Sequence, residues 1–311
     1  MSYKKKEDLD YEEYENLKNS KFEQQKLPGW RPNPSMFNAI FFFFSLGILS
    51  IGIGVAISFF SEEIVEYEVP YNETQEFLTI NVTKKMKADI MVYYKVYNFY
   101  QNNRRFMNSR SEEQLRGKNI SAVQMEKRHE CDPIIKNEDL RIDLLIENLN
   151  PKDIANPCGL IARSFILFND SISFYYDNLT AIPINETNIA RKYDRENYKN
   201  TSTYFKPWLN IEDEHFLVWM RVSPFANFTK LYGRINQDIE KDTIIKVNIT
   251  HGKYYNETEY NLSGISKSIF ITTVNSFGGK NKEIALSYWA FGILSIVIGI
   301  AFIIGFKCRD K

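Results

Sequence analysis

Histidine and cysteine are scarce in this chain, three of each in 311 residues. His129, His215 and His251 stand in no His-x-x-x-His spacing and no Cys-x-x-Cys occurs, which excludes the common zinc frameworks. Gly-x-Ser-x-Gly, a Walker loop and Gly-x-Gly-x-x-Gly are also missing, removing the hydrolase elbow, the P-loop and the dinucleotide fold. Excess charge is absent: 39 basic and 39 acidic side chains balance, so neither nucleic acid nor an acidic partner is indicated. No internal repeat is present, and the lysine–acid run of residues 4–15 reads as a solvated tail. No catalytic, cofactor-binding or metal-ligating residue is expected.

Charge is locally absent in two places. "FNAIFFFFSLGILSIGIGVAISFF" (37–60) and "ALSYWAFGILSIVIGIAFIIGF" (285–306) carry none. As helices they span about 36 and 33 Å, against a bilayer hydrocarbon core of about 30 Å. Tyr288 and Trp289 sit where an interfacial aromatic belt belongs. A hydrophilic stretch precedes the first run, which is longer than the apolar part of a cleaved signal, so it reads as a signal anchor. Lys18, Lys21, Lys26 and Arg31 precede it, whereas residues 61–80 hold no Lys or Arg. Positive-inside then gives a cytosolic tail (1–36), a first span (37–60), an extracytoplasmic domain (61–284), a second span (285–306) and a cytosolic end (307–311). Cys308 lies in that end, read as an inert juxtamembrane thiol, with palmitoylation the alternative.

Asn-x-Ser/Thr sequons begin at Asn72, Asn81, Asn119, Asn169, Asn178, Asn185, Asn200, Asn227, Asn248, Asn256 and Asn261, all between the spans. The Asn, Ser and Thr content of that region would produce about three by chance. The excess implies a glycosylated secretory-pathway ectodomain carrying N-linked glycans and no other added group, with Asn169 the first choice for occupancy.

Within the ectodomain, "FLTINVT" (77–83), "IIKVNIT" (244–250) and "SIFITTV" (268–274) read as strands. "DIMVYYKVYNFY" (89–100) starts as a strand and turns helical toward "NFYQNNRRF". Strands at both ends of the domain imply pairing in one antiparallel sheet, with an irregular middle over 105–205. "FGGKN" (277–281) reads as a turn. Cys131 and Cys158 are the one lumenal pair; a bridge would be worth roughly 3.6 kcal/mol, the alternative being two buried thiols. "EDEHFLVWMR" (212–221) places three acids and His215 before an alternating apolar run. That is the equipment of acid–base chemistry, but acids at the mouth of a strand more commonly serve turns and ion pairs, with Arg221 a distant partner. Ser50, Gly54 and Ser58 recur on one helix face, as do Ser295 and Gly299, small-residue faces that permit close helix packing. Neither span holds an ionisable residue, so neither reads as an ion path.

"KLPGWRP" before the first span, "IGIG" within it and "NFYQNNRRF" after it resemble one known family. So do "NPCGLIARSF" with "FND", "DEHFLVWMR" followed by "KLYGRI", and "GGKN" before the second span. The chain resembles the accessory (β) subunits of type IV P-type ATPases, the lipid flippases, named the cell division control protein 50 or ligand-effect modulator family. The resemblance implies a membrane protein: two transmembrane helices flanking a mainly β, antiparallel extracytoplasmic domain with irregular, partly helical insertions. It implies cytosolic termini, membrane-lipid contact, a secretory-pathway membrane (endoplasmic reticulum, Golgi, endosome or plasma membrane), and no catalysis by this chain. The heterodimeric partner ATPase would move phospholipid from the outer to the cytosolic leaflet, and this subunit would support its folding, endoplasmic reticulum exit and activity. Cys131 and Cys158 match a disulfide of the family, and Trp30 of "KLPGWRP" is placed at the cytosolic interface. One departure is that residues 61–88 hold none of the further cysteines of many members. The competing reading is a subunit of a two-span ligand-gated channel or receptor; a channel would show denser ectodomain cysteines and polar pore residues.

Overall fold

An uncharged run of more than 20 residues satisfies its backbone groups most economically as a helix, and both runs do so. The computed structural model describes residues 11–22, 24–26, 35–72, 75–142, 148–200, 206–252, 264–276 and 278–309. It forms two compact units, one around the two apolar helices and one over Ile57–Lys282. The first unit also includes α1 (Tyr11–Asn19), a short helix that overlaps the end of the 4–15 run expected to be a solvated tail.

The first apolar helix, α2, covers Met36–Glu62, and the last helix of the chain covers Lys282–Arg309. Each extends past the uncharged run into polar residues. Only 17% of each apolar window is buried, whereas the core helix of a soluble protein would be mostly covered. Backbones cross closely at Gly47 and Gly292: a Cβ on either would stand 3.0 Å from the other's carbonyl oxygen. Phe43 and Phe302 stack at 5.6 Å nearby.

The second unit is built on β1 (Glu66–Tyr71), β2 (Phe77–Val82) and β3 (Ile90–Tyr97). Short helices α3 (Arg104–Asn108), α4 (Glu112–Leu115), α5 (Ala122–Arg128) and α6 (Leu160–Ser164) follow. Then come β4 (Ser171–Tyr176), β5 (Ala181–Ile182), α7 (Lys192–Asn197) and α8 (Glu214–Met220). The strands β6 (Phe228–Ile235), β7 (Thr243–Thr250) and β8 (Ser266–Thr272) lead to α9, the Lys282–Arg309 helix.

The strands make two antiparallel four-stranded sheets, β1-β8-β3-β6 and β2-β7-β4-β5, where one sheet was expected. Strands 77–83 and 244–250 do pair, Leu78 opposite Val247, but in a different sheet from 268–274. The inward residues of both sheets, among them Ile80, Val82, Val92, Val96, Ile245, Val247, Ile269 and Ile271, belong to one buried cluster, so the sheets share a core. The middle is less irregular than expected: its described residues include five short α-helices, two 3-10 turns and the β4–β5 hairpin. Where cysteines are missing from residues 61–88, hydrogen bonds hold the chain: Tyr67 Oη accepts from the amides of Thr83 and Lys84.

Candidate functional site

Within 212–221 the apolar run belongs to a helix, α8 (Glu214–Met220), and not to a strand. Asp213 caps it by accepting from the His215 amide at 2.9 Å. Phe216, Leu217, Trp219 and Met220 are buried, the i, i+1, i+3, i+4 pattern of one helix face. Every acid is engaged with backbone. Glu214 accepts from the amides of Asn188 and Ala190 at 2.9 Å, and Glu212 from Asn200 at 3.1 Å. The His215 imidazole bonds Glu186 at 3.0 Å rather than any of the three, and its ring lies 4.7 Å from Tyr232. Arg221 turns to buried Asp194, a fork with both bonds at 2.7 Å. The cluster fastens α8 to its neighbours.

Trp219, fully buried, sits at the centre of an aromatic hub. Its ring stacks on Phe168 at 4.5 Å, with Phe99 at 5.9 Å and Phe228 at 6.1 Å; Phe106 meets Phe99 at 5.6 Å. Its Nε1–H donates to Ile161 O and Ser164 Oγ, both at 3.0 Å. The motifs quoted from distant parts of the sequence meet here: Phe99 and Phe106 from "NFYQNNRRF", Ser164 from "NPCGLIARSF", Phe168 from "FND", Trp219 from "DEHFLVWMR". "KLYGRI" adds Lys230, whose ammonium donates to the carbonyls of Val218, Trp219 and Arg221 at the end of α8. Burial draws the Lys230 pKa down to about 7, and those carbonyls with the helix dipole favour its charged form.

Cys131 and Cys158 are bonded, with Cα atoms 5.6 Å apart. Gly159 follows at φ 97°, and there the backbone approaches Ser109 so closely that a Cβ would stand 2.7 Å from its carbonyl carbon. Trp208 Nε1–H donates to Pro157 O at 2.7 Å, locking the same loop. The core also holds a charged cluster that sequence reading missed. Asp170 accepts from Tyr71 Oη at 2.9 Å and Lys267 Nζ at 3.0 Å, and bonds His251 Nδ1 at 2.9 Å. Tyr71 and Lys267 belong to one sheet, and Asp170 and His251 flank strands of the other, so the cluster ties the two together. The signal was available: Lys230 shares the inward phase of Phe228 and Tyr232, and Lys267 that of Ile269 and Ile271.

Gly54 and Gly299 each pack against the other apolar helix. Ser50 and Ser295 are buried; a Cβ on Gly54 would stand 2.5 Å from Trp289 Nε1, and one on Gly299 2.8 Å from the Phe44 ring. Ser58 is half-buried and Cys308 exposed. Asn72, Asn81, Asn119, Asn178, Asn185 and Asn227 are exposed, whereas Asn169, Asn200 and Asn248 are half-buried. The Asn200 amide nitrogen already donates to Asn210 at 2.7 Å. Trp30, Asn256 and Asn261 lie outside the described residues. Among the described residues no group of three or more His, Cys, Asp or Glu side chains is arranged to hold a metal ion.

The model of the LEM3 (ligand-effect modulator 3) family / CDC50 family matches residues 3–311. The chain is similar to ALA-interacting subunit 3 of Arabidopsis thaliana, 31% identical over 94% of this chain and 87% of that protein. It is also similar to cell cycle control protein 50A of Bos taurus and of Mus musculus. Each is 30% identical over 94% of this chain and 90% of the relative.

Proposed function

We propose, from the premise that this chain belongs to the LEM3/CDC50 family, that it is the non-catalytic accessory subunit of a type IV P-type ATPase. The partner moves phospholipid from the outer to the cytosolic leaflet, and this chain supports its folding, its exit from the endoplasmic reticulum and its activity. The observation that carries the reading is the family match over residues 3–311. Relatives bearing the name "ALA-interacting subunit" support the role of a binding subunit. The chemistry of the chain agrees: the acids and histidine of 212–215 are committed to backbone amides and Glu186, and both apolar helices lack ionisable residues over 37–60 and 285–306.

In this reading both termini are cytosolic and residues 61–284 face the lumen with N-glycans. Exposed Asn81, Asn119, Asn178 and Asn185 are better acceptors than Asn200, whose nitrogen is engaged. The deciding experiment is purification of tagged full chain in mild detergent with identification of what accompanies it. Recovery of a type IV P-type ATPase, retained in the endoplasmic reticulum and inactive in lipid uptake when this chain is deleted, is expected. Ion conduction by the purified chain, with no such ATPase recovered, would replace the reading with a two-span ligand-gated channel.

A further inference from the structure

A cleft of about 410 Å³ opens beside the hub, between α4, α7 and the end of α8. Three arginines line it: Arg110 and Arg116, on either side of α4, and Arg221, just past α8. Two carboxylates share it, and both are occupied. Asp194 takes two bonds from Arg221, and Glu112 takes Arg110 at 2.9 Å and the Tyr198 hydroxyl at 3.0 Å. Burial, and then the Glu112 charge, push the Tyr198 pKa up to about 12, so its hydroxyl stays a donor committed to Glu112. Arg116 is different. Among the described residues its guanidinium makes one side-chain hydrogen bond, to the Tyr193 hydroxyl at 3.3 Å.

We propose that this cleft binds a small phosphate-bearing monoanion, held by Arg116 with Arg110 and the Tyr193 hydroxyl. Three cations against two anions leave one positive charge, which a phosphodiester or dihydrogen phosphate neutralises. A guanidinium offers five N–H donors, and one long bond leaves most of the Arg116 fork unused. A carboxylate offers two oxygens in one plane, a match for one guanidinium fork such as Arg221 with Asp194. Phosphate presents more oxygens and accepts from several directions, which suits donors arriving from Arg116, Arg110 and Tyr193 together. Leu217, Met220 and Val222 supply an apolar wall that strengthens those bonds by lowering the local dielectric. The volume lies within the range of about 300–1,000 Å³ typical of small-ligand sites. The inference rests on the cleft alone and does not depend on assembly with an ATPase.

The test is thermal melting of the purified full chain in non-ionic detergent, titrated with sodium phosphate at constant ionic strength set by sodium chloride. A saturable rise in melting temperature with phosphate and none with chloride is expected. Arg116→Gln should melt like the parent without phosphate and weaken the response by about tenfold or more; Tyr193→Phe should weaken it less. Glycerophosphoethanolamine and glycerophosphoserine are the second arm. A response to them below the phosphate concentration assigns the site to lipid headgroups, the reverse order to a soluble phosphate, and either supports it. Equal shifts in phosphate and chloride, or an undiminished response in Arg116→Gln, overturn the proposal.

Discussion

Gly159→Ala tests whether the disulfide loop is shaped by backbone contact. The residue stands at φ 97° and ψ 164°, a region essentially closed to residues with a Cβ. Occupying it costs on the order of 1–3 kcal/mol. A second cost is steric: the new methyl would stand 2.7 Å from the Ser109 carbonyl carbon and 3.1 Å from Arg110 Cα, both rigid backbone. Overpacking of this kind adds about 1–3 kcal/mol, giving roughly 2–6 kcal/mol in total. Gly278 separates the two terms, since it has φ 90° with nothing within 4 Å of a built Cβ. Gly278→Ala should therefore show the conformational cost alone. At about 2–4 °C per kcal/mol for a domain of this size, Gly159→Ala should melt about 2–12 °C below Gly278→Ala. Near-UV circular dichroism of the full chain in detergent reads both, because the aromatic hub supplies the signal. If Gly159→Ala melts at or above Gly278→Ala, the close approach to Ser109 is wrong.

Within the apolar pair, Gly52→Ala should be neutral or stabilising by up to about 1 kcal/mol, because a Cβ there meets nothing. Gly54→Ala should destabilise by about 1–3 kcal/mol through Trp289, and a melt placing Gly54→Ala above Gly52→Ala would contradict the packing. Burial works to raise the Asp170 carboxyl, but hydrogen bonds and charge from His251 and Lys267 outweigh it and leave the pKa below its usual value. A depressed folded pKa contributes stability in full above about pH 4 that is lost as pH falls through the folded value. Asp170→Asn should thus flatten the fall in melting temperature below about pH 4, and parallel acid limbs in parent and variant would refute the assignment. Trp219→Phe should cost only about 1–2 kcal/mol, since Ser164 Oγ–H already bonds Ile161 O at 2.8 Å, whereas Trp219→Ala should cost about 3–5 kcal/mol. Chemical denaturation followed by far-UV circular dichroism checks both, and equal costs would count against the hub. Cys131→Ser should cost about 2–5 kcal/mol, read as a loss of folding yield, and unchanged yield would refute a structural role for the bridge.

The two apolar helices were legible because lack of charge over more than 20 residues has few physical solutions. Strand positions were legible where period-2 burial is clean, as in β3 and β7. Strand partners were not, because β2 and β7 lie far apart in the chain and periodicity says nothing of which strand closes which sheet. The misreading of 216–220 has a local cause. Over so few residues an apolar run fits either period, and the deciding signal was Asp213, an N-cap residue directly ahead of it. The cleft residues were invisible for another reason: the Arg221–Asp194 fork joins residues 27 positions apart across a loop and a helix. The sequence showed Arg221 and showed acids, but nearness along the chain pointed to the wrong ones.

The placement of the motifs bears on what such a chain can do. A catalytic motif leaves at least one reactive group exposed to a substrate, with its pKa tuned toward the working pH. Here the quoted residues are engaged in contacts within the fold. Trp219, Phe168 and Gly159 are consumed in contacts between segments, and Glu212, Asp213 and Glu214 are consumed on backbone amides. A hub of this kind holds loops from β3, α3, α6, α8 and β6 in one relative arrangement, which is the requirement of a surface recognised by its shape. Substitutions at the hub should therefore act on function through folding. Across a series at Phe99, Phe168, Trp219 and Phe228, recovery of the proposed ATPase partner should track melting temperature, and conservative aromatic replacements should restore both together. A variant that keeps the parent melting temperature yet loses its partner would place recognition in that side chain itself.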